Sequence, residues 1–204
     1  MLDSQLAIAP HLATEDDEMS RDLFTFESIT LKTVEPSDIA EMQNILNRAS
    51  YYHTTILQQS PAGLADRCFR AEVPTVSGSR VFRHLFLGSD ARVGISPSFA
   101  LDVFVGFPNY KIASVALFVI REDCQRKGTG REVLSQTLAQ YLIEYHPAVE
   151  TISVSLTENN VPALRCLVAS GYERTNRWEK LDINGRPIIA LTYRRSVRDN
   201  HTSG

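Results

Sequence analysis

The sequence predicts an α/β chain of the α+β type: a mixed, mostly antiparallel central sheet of about seven strands, flanked by about four helices. Three observations carry that expectation. Strand-like and helix-like stretches alternate in the order β-α-α-β-β-β-α-β-α-β-β. The three consecutive β-rich runs, Val81 to Leu87, Phe99 to Val105 and Ser114 to Ile120, are separated by turn clusters alone, which reads as an antiparallel meander. After Arg131 the apolar spacing changes from strand-like to helical.

In chain order, residues 1–22 read as a solvated, disordered tail, because the acidic run Glu15-Asp16-Asp17-Glu18 has no apolar period behind it. Phe24 to Val34 has the β-rich character of a first strand, with Phe26, Ile29, Leu31 and Val34. Pro36-Ser37-Asp38 opens a helix: Asp38 can cap it, Glu41 follows three residues on, and Ile39, Met42, Leu46 and Ala49 share one face. Pro61 to Val73 is a shorter helix, and Ser77-Gly78-Ser79 breaks the chain before the meander. Gly88-Ser89-Asp90 and Gly106-Phe107-Pro108-Asn109 are its turns. Val115 to Ile120 is apolar at every position, which suits a central strand buried on both faces. Between Arg131 and Tyr145, Leu134, Leu138, Tyr141, Leu142 and Tyr145 repeat at helical spacing until Pro147 ends the element. Thr151 to Leu156 alternates as a strand, and Asn160 to Ser170 reads as a helix closed by Gly171. Arg177 to Leu181 and Ile188 to Tyr193 form a hairpin around Asn184-Gly185. Residues 198–204 read as a second tail, leaving 23–197 as one domain.

Composition narrows the function classes. Hydrophobic residues make up 43%, and no apolar run approaches the roughly 20 residues that cross a bilayer. Leu6 to Ile8 is too short for a signal segment, so a cytoplasmic protein without a membrane is expected. A net charge of -3 argues against a nucleic-acid groove. Cys68, Cys124 and Cys166 lie far apart with no CxxC pair, which fits a reducing compartment. The 5 histidines show no ligand spacing, so no metal is expected, and no GxSxG elbow is present. The sequence permits a homodimer without requiring one.

The chemistry concentrates between Phe118 and Arg131. A buried strand ends in a polar turn and a Gly-rich entry to an amphipathic helix. Such an entry makes an anion site: the first helical turn leaves backbone N–H groups without partners, and the dipole favours negative charge. Gly128 and Gly130 let an oxyanion approach the amides, while Arg126, Lys127 and Arg131 add positive charge. The alternative is a tight turn whose glycines serve backbone geometry alone. A Walker loop would need Lys-Ser/Thr after Gly130, and a dinucleotide fingerprint would need a third glycine near Val133; neither is present.

Gln125-x-x-Gly128-x-Gly130 resembles the acetyl-CoA loop of the GNAT superfamily of N-acetyltransferases. Asn160-x-x-Ala163 followed by Gly171-Tyr172 resembles that family's second segment, one helix and one strand downstream. The resemblance covers roughly 24–193. It implies the GNAT fold, acetyl-CoA as co-substrate, and transfer of an acetyl group to a primary amine of a small molecule. It also implies that Gln125, Arg126, Lys127, Gly128, Thr129, Gly130 and Arg131 hold the pyrophosphate, that the backbone of Phe118, Val119 and Ile120 pairs with the pantetheine arm, and that Asn160 and Ala163 complete the site. An acetyltransferase for protein amines and a non-catalytic acyl-CoA-binding module are the alternatives. The family's acid tyrosine falls at Leu167, with Cys166 beside it and Tyr172 farther on.

Acyl transfer to an amine needs a neutral amine, and alkylammonium groups titrate near 10, so a base or a desolvating pocket is required. Asp102 and Glu158 are the candidate bases; the alternatives are a solvent-facing strand residue and a turn carboxylate. Tyr51, Tyr52 and His53 either line an acceptor pocket or pack as an aromatic group, and Trp178 reads as core or interface.

Overall fold

The computed structural model describes residues 23–57, 60–183 and 186–198; the expected tail 1–22, all of the expected tail 198–204 but Arg198, and the Asn184-Gly185 turn lie outside them. Among the described residues one sheet of eight strands runs in the order β1-β2-β3-β4-β5-β6-β8-β7. The strands are β1 (Leu23–Phe26), β2 (Ile29–Thr33), β3 (Phe82–Asp90), β4 (Ile95–Val105), β5 (Ile112–Ile120), β6 (Thr151–Thr157), β7 (Glu173–Ile183) and β8 (Arg186–Ser196). Every neighbouring pair is antiparallel except β5 and β6. That exception follows from connectivity, because a parallel neighbour needs a crossover, here supplied by the long helical segment between them.

Helices α1 (Ile39–Asn47) and α2 (Leu64–Arg70) cover one face, where Met42, Ile45, Leu46 and Ala65 pack on Leu85, Leu87, Ala100, Leu117 and Val119. The other face carries a continuous rod made of α3 (Thr129–Glu132), a π-helical stretch (Val133–Thr137) and α4 (Leu138–Tyr145), together with α5 (Val161–Ala169). Its larger core includes Phe86, Phe99, Leu101, Leu138, Leu142, Ile152 and Leu167. Fully burying each such aliphatic or aromatic side chain contributes about 1.5–3 kcal/mol. No helix of the described residues is long and apolar enough to cross a membrane.

Four expectations are corrected. The first strand is two strands, which raises the count to eight: the chain turns at Glu27 (φ 51°) and Ser28. In one unbroken strand Phe24 would face away from Ile29 and Leu31. The hairpin sets Phe24 directly opposite Leu31, and all three become buried. Gly88-Ser89-Asp90 lies inside β3 rather than in a turn. Gly88 sits opposite Phe99, and a Cβ on it would fall 1.9 Å from the Phe99 ring, so this glycine marks close packing; the turn comes at 91–94. Asp38 does not cap α1 with its side chain. It ends a 3-10 turn, Pro36–Asp38, where its carboxylate accepts from the Glu35 N–H (3.0 Å) and from Lys32 Nζ (2.8 Å). Finally, β5 is not buried throughout, since Ala116 is exposed.

The π-helical stretch has a cause in the side-chain pattern. Buried positions repeat every fourth residue, as Thr129, Val133, Thr137, Tyr141 and as Gly130, Leu134, Leu138, Leu142. A regular α-helix would rotate such a row by about 40° per repeat. The wider π turn takes up that drift and keeps both rows on the sheet. Its loosened carbonyls are capped from outside: Tyr172 Oη donates to Leu134 O (3.2 Å), and Arg195 Nη1 donates to Leu134 O (3.1 Å) and to Ser135 O.

Candidate active site between two diverging strands

The parallel pair β5–β6 is in register only from Ile112–Thr151 to Val115–Val154. Beyond that point both strands continue, β5 to Ile120 and β6 to Thr157, without pairing to each other. A bulge drives the divergence. Leu117 pairs with Asp102 of β4 and Val115 with Val103, so Ala116 is the extra residue. A wedge therefore opens inside the sheet, with Ala116 exposed at its narrow end.

At the wide end, β5 leads into the Gly-rich loop. Arg121 opens a 3-10 turn, Glu122–Cys124, which Glu122 ties to the end of α1 by its N–H to Arg48 O (3.0 Å) and by accepting from Ser50 Oγ (2.5 Å). Asp123 takes a bidentate contact from Arg121 (3.1 and 2.8 Å), which holds its carboxyl below the usual range. The Gln125 amide donates back to Ile120 O (2.9 Å), closing the loop on its own strand. Arg126 (φ 60°) and Gly128 (φ 91°) then reverse the chain, and the first backbone bond of the rod runs from Glu132 N–H to Gly128 O (3.1 Å). The amides ahead of it have no intrahelical acceptor. Arg126, Lys127, Gly128 and Arg131 are exposed around them.

The two glycines do different things. A Cβ on Gly128 would meet nothing within 4 Å, so that residue is needed for its positive φ. Gly130 is buried, and a Cβ there would lie 3.1 Å from both Ile120 Cδ1 and Cys166 Sγ. Its missing side chain makes room for the rod to pack on β5 and α5.

Of the residues singled out from sequence, Phe118, Val119 and Ile120 lie along the wedge side of β5, and Gln125 to Arg131 form its rim. Asn160 caps α5, with Oδ1 accepting from the Ala163 N–H (3.4 Å), so these two pair with each other; α5 then brings Cys166 under Gly130. Glu158 is exposed directly after β6, its N–H on Ile189 O (2.9 Å). Asp102 is only 5% exposed and faces the α1–α2 side. Its carboxylate accepts from Arg83 Nε (3.0 Å) and Nη2 (2.7 Å), while Arg83 also binds Ala71 O (2.9 Å), Phe69 O and Cys68 O at the end of α2. Leu167 is core. Tyr172 is buried on Leu134 O, and burial pushes its phenol well above the ordinary value. Cys166 is half-buried, which likewise pushes its thiol up. His53 packs edge-on against Tyr52, with Nε2 on Leu46 O, whereas Trp178 is 66% exposed and is not core.

Three further contributors stand around the site, of which sequence reasoning named Tyr51 and missed the roles of Thr157 and of the Asp90–Arg92 pair. Tyr51, partly exposed after α1, donates to Asn159 O (3.1 Å) and so links the α1 side to the loop after β6 at the wide end of the wedge. Thr157, one residue before Glu158, has a buried hydroxyl with no partner among the described residues. Asp90 and Arg92 brace the rod from the β3–β4 turn. Hydrophobic spacing gives no signal for Thr157, Asp90 or Arg92. Among the described residues no cluster of three or more His, Cys, Asp or Glu side chains could hold a metal ion.

No protein-family model matches the chain. No curated protein matches it either. Solved structures do. The acetyltransferase from Thermus thermophilus is similar at 23% identity and TM-score 0.59, over 83% of this chain and 97% of that one. The spermidine N-acetyltransferase from Vibrio cholerae in complex with CoA and spermine matches at 15% and 0.60, over 83% and 95%. A GCN5-related N-acetyltransferase from Brucella melitensis matches at 12% and 0.67, over 87% and 79%. Over most of its length this chain has the fold of the GNAT acetyltransferases.

Proposed function

We propose that the chain is an N-acetyltransferase that takes acetyl-CoA as co-substrate and acetylates a primary amine of a small molecule. The wedge carries this reading: a central strand of the sheet leaves its backbone without a β6 partner over its second half, with an exposed alanine at the narrow end and basic, amide-rich chain at the wide end. A long, thin ligand with a phosphorylated head fits that shape. The amides around Gly128, with Arg126, Lys127 and Arg131, would hold the pyrophosphate. The free edge of Phe118, Val119 and Ile120 would pair with the amide-bearing arm. Bound there, acetyl-CoA supplies an activated acyl thioester. Backbone N–H groups at the bulge orient its carbonyl and stabilise the charge that builds on oxygen.

Of the two candidate bases, Glu158 fits the role. It is solvent-accessible at the mouth, whereas the Asp102 carboxylate is committed to Arg83. Glu158 takes the ammonium proton as the amine enters at the mouth, ahead of its approach to the thioester at the bulge. No side-chain acid stands at Leu167, and a thiolate, whose thiol titrates near 8.5, leaves without one. A small acceptor is favoured over a protein amine because the Tyr51–Asn159 link narrows the mouth. Three free cysteines suit the reducing cytoplasm.

Calorimetry with CoA and thiol release across an amine panel test the reading. Wild type should bind CoA and turn over at least one small amine. Glu158→Gln should lower kcat by about 10²-fold or more, as loss of a positioned base does. CoA binding without turnover of any amine would leave a binding module, and turnover with peptide amines alone would move the substrate to proteins.

A further inference from the structure

Behind the rim of the wedge lies a carboxylate that the proposed chemistry does not use. Asp90, the last residue of β3, is 1% exposed. Its Oδ2 accepts from Thr129 Oγ1 (2.6 Å) and Arg92 Nη2 (2.7 Å), and its Oδ1 accepts from Arg92 Nε (2.9 Å) and the Arg92 N–H (3.0 Å). Arg92 continues to Glu132 Oε2 (2.5 Å), whose other oxygen accepts from Ser28 Oγ (2.9 Å). Thr129 is the first residue of the rod and Glu132 makes its first backbone bond. The two turns at this end of the sheet, 27–28 and 91–94, therefore grip the first helical turn at both ends, and the Asp90–Thr129 contact at its start is buried.

Such a brace suits a loop that must present amides. The segment from Gln125 to Gly128 is exposed and contains two positive-φ residues, and it is held at its start by the Gln125 bond to Ile120 O and at its end by Thr129. The direction of its C-terminal half, where Gly128 lies, follows Thr129. A carboxylate at this point would weaken anion binding on its own, because it places negative charge beside the dipole's positive end. Arg92 bridges Asp90 and Glu132 and offsets one of their two charges.

We propose that Asp90 is a positioning residue: through Thr129, with Arg92 as its counter-ion, it sets the direction of the Gly128 loop and so the binding of the phosphorylated head of the acyl donor. The assignment rests on the acetyl-CoA reading above. It predicts an effect confined to donors that carry the phosphates. Thiol release should be measured with acetyl-CoA and with S-acetylpantetheine, which lacks them, for wild type, Asp90→Asn, Thr129→Val and Thr129→Ser. Asp90→Asn and Thr129→Val should raise KM for acetyl-CoA at least ten-fold with kcat within two-fold. Their kcat/KM for S-acetylpantetheine should stay within two-fold of wild type, and Thr129→Ser, which keeps the hydroxyl, should match wild type. Equal losses with both donors would make the brace merely structural and overturn the assignment, as would unchanged KM in both disrupting variants. Thr129→Val leaves the Asp90–Arg92 pair intact and serves if Asp90→Asn does not fold. Wild type that binds no CoA sinks the reading beneath; wild type that binds CoA no better than Asp90→Asn sinks this inference alone.

Discussion

Asp90 shows what one side chain can do to the stability of a whole loop. Hydrogen bonds from Arg92, and then from Thr129, outweigh the cost of burying its charge and hold its carboxyl at about 2. A carboxylate with a depressed folded value contributes stability that is complete above its unfolded value near 4, and that is lost as pH falls through the folded one. The window is therefore roughly pH 4 to 2, and the amount is about 2 kcal/mol. Wild type should lose that much more stability than Asp90→Asn between pH 5 and 2, read from urea unfolding at each pH. Parallel curves for the two proteins would show that Asp90 carries no such linkage. Legibility at this scale was uneven. The glycines were visible as glycines, but their different reasons were not: backbone angle at Gly128 and a three-way packing contact at Gly130 look alike in a string of letters. Asp90 read as a turn residue because Gly88-Ser89-Asp90 has turn composition. What overrode that composition was the Phe99 ring on the neighbouring strand, a contact that spacing along the chain does not encode.

Elements were easier to read where one period dominates. The meander, α5 with its Asn160 and Gly171 ends, and the final hairpin stand where their patterns put them, with longer strands than expected because pairing extends past the apolar stretch. The first strand failed because its apolar residues switch parity at Glu27-Ser28, with no glycine or asparagine to mark the hairpin. The rod is the instructive case. Its every-fourth-residue repeat is present in the sequence and is too long for an α-helix, which is the sign of the π turn that a search for helical spacing passes over. That turn makes the caps beneath it structural. Tyr172→Phe should lower stability by about 1 kcal/mol, the net value of one hydrogen bond, since Arg195 still serves Leu134 O. For a chain of this size that is about 3 °C in Tm. Turnover should remain at the wild-type level, because the phenol is spent on a carbonyl inside the fold. A fall in kcat with unchanged Tm would instead place this hydroxyl in the chemistry.

Across the whole molecule the two faces of the sheet divide the work. One face carries the rod and α5 and so the loop; the other carries α1 and α2. The Arg83–Asp102 pair is the clamp on that second face, joining two central strands to the carbonyls at the end of α2. Both side chains are nearly buried, so removing one partner leaves an uncompensated charge. Asp102→Ala should cost about 3–5 kcal/mol by chemical denaturation, and adding Arg83→Met should restore much of it. A mild effect of Asp102→Ala on stability with a large effect on turnover would return Asp102 to the list of bases. The division of faces could be read from element order; the seam between them could not, because it depends on one extra residue, Ala116, in the run Val115 to Ile120 that is apolar at every position. That seam also acts as a gauge. β5 and β6 are joined over four residue pairs and part for the rest, so anything entering from the rim meets a fixed stop at Val115–Val154. From Ile120 to Ala116 the depth is about 13 Å at the rise of a strand. A tethered reactive group is then delivered to one place by the length of its tether alone, and a donor with a shortened arm, however tightly its head is held, halts short of the amine.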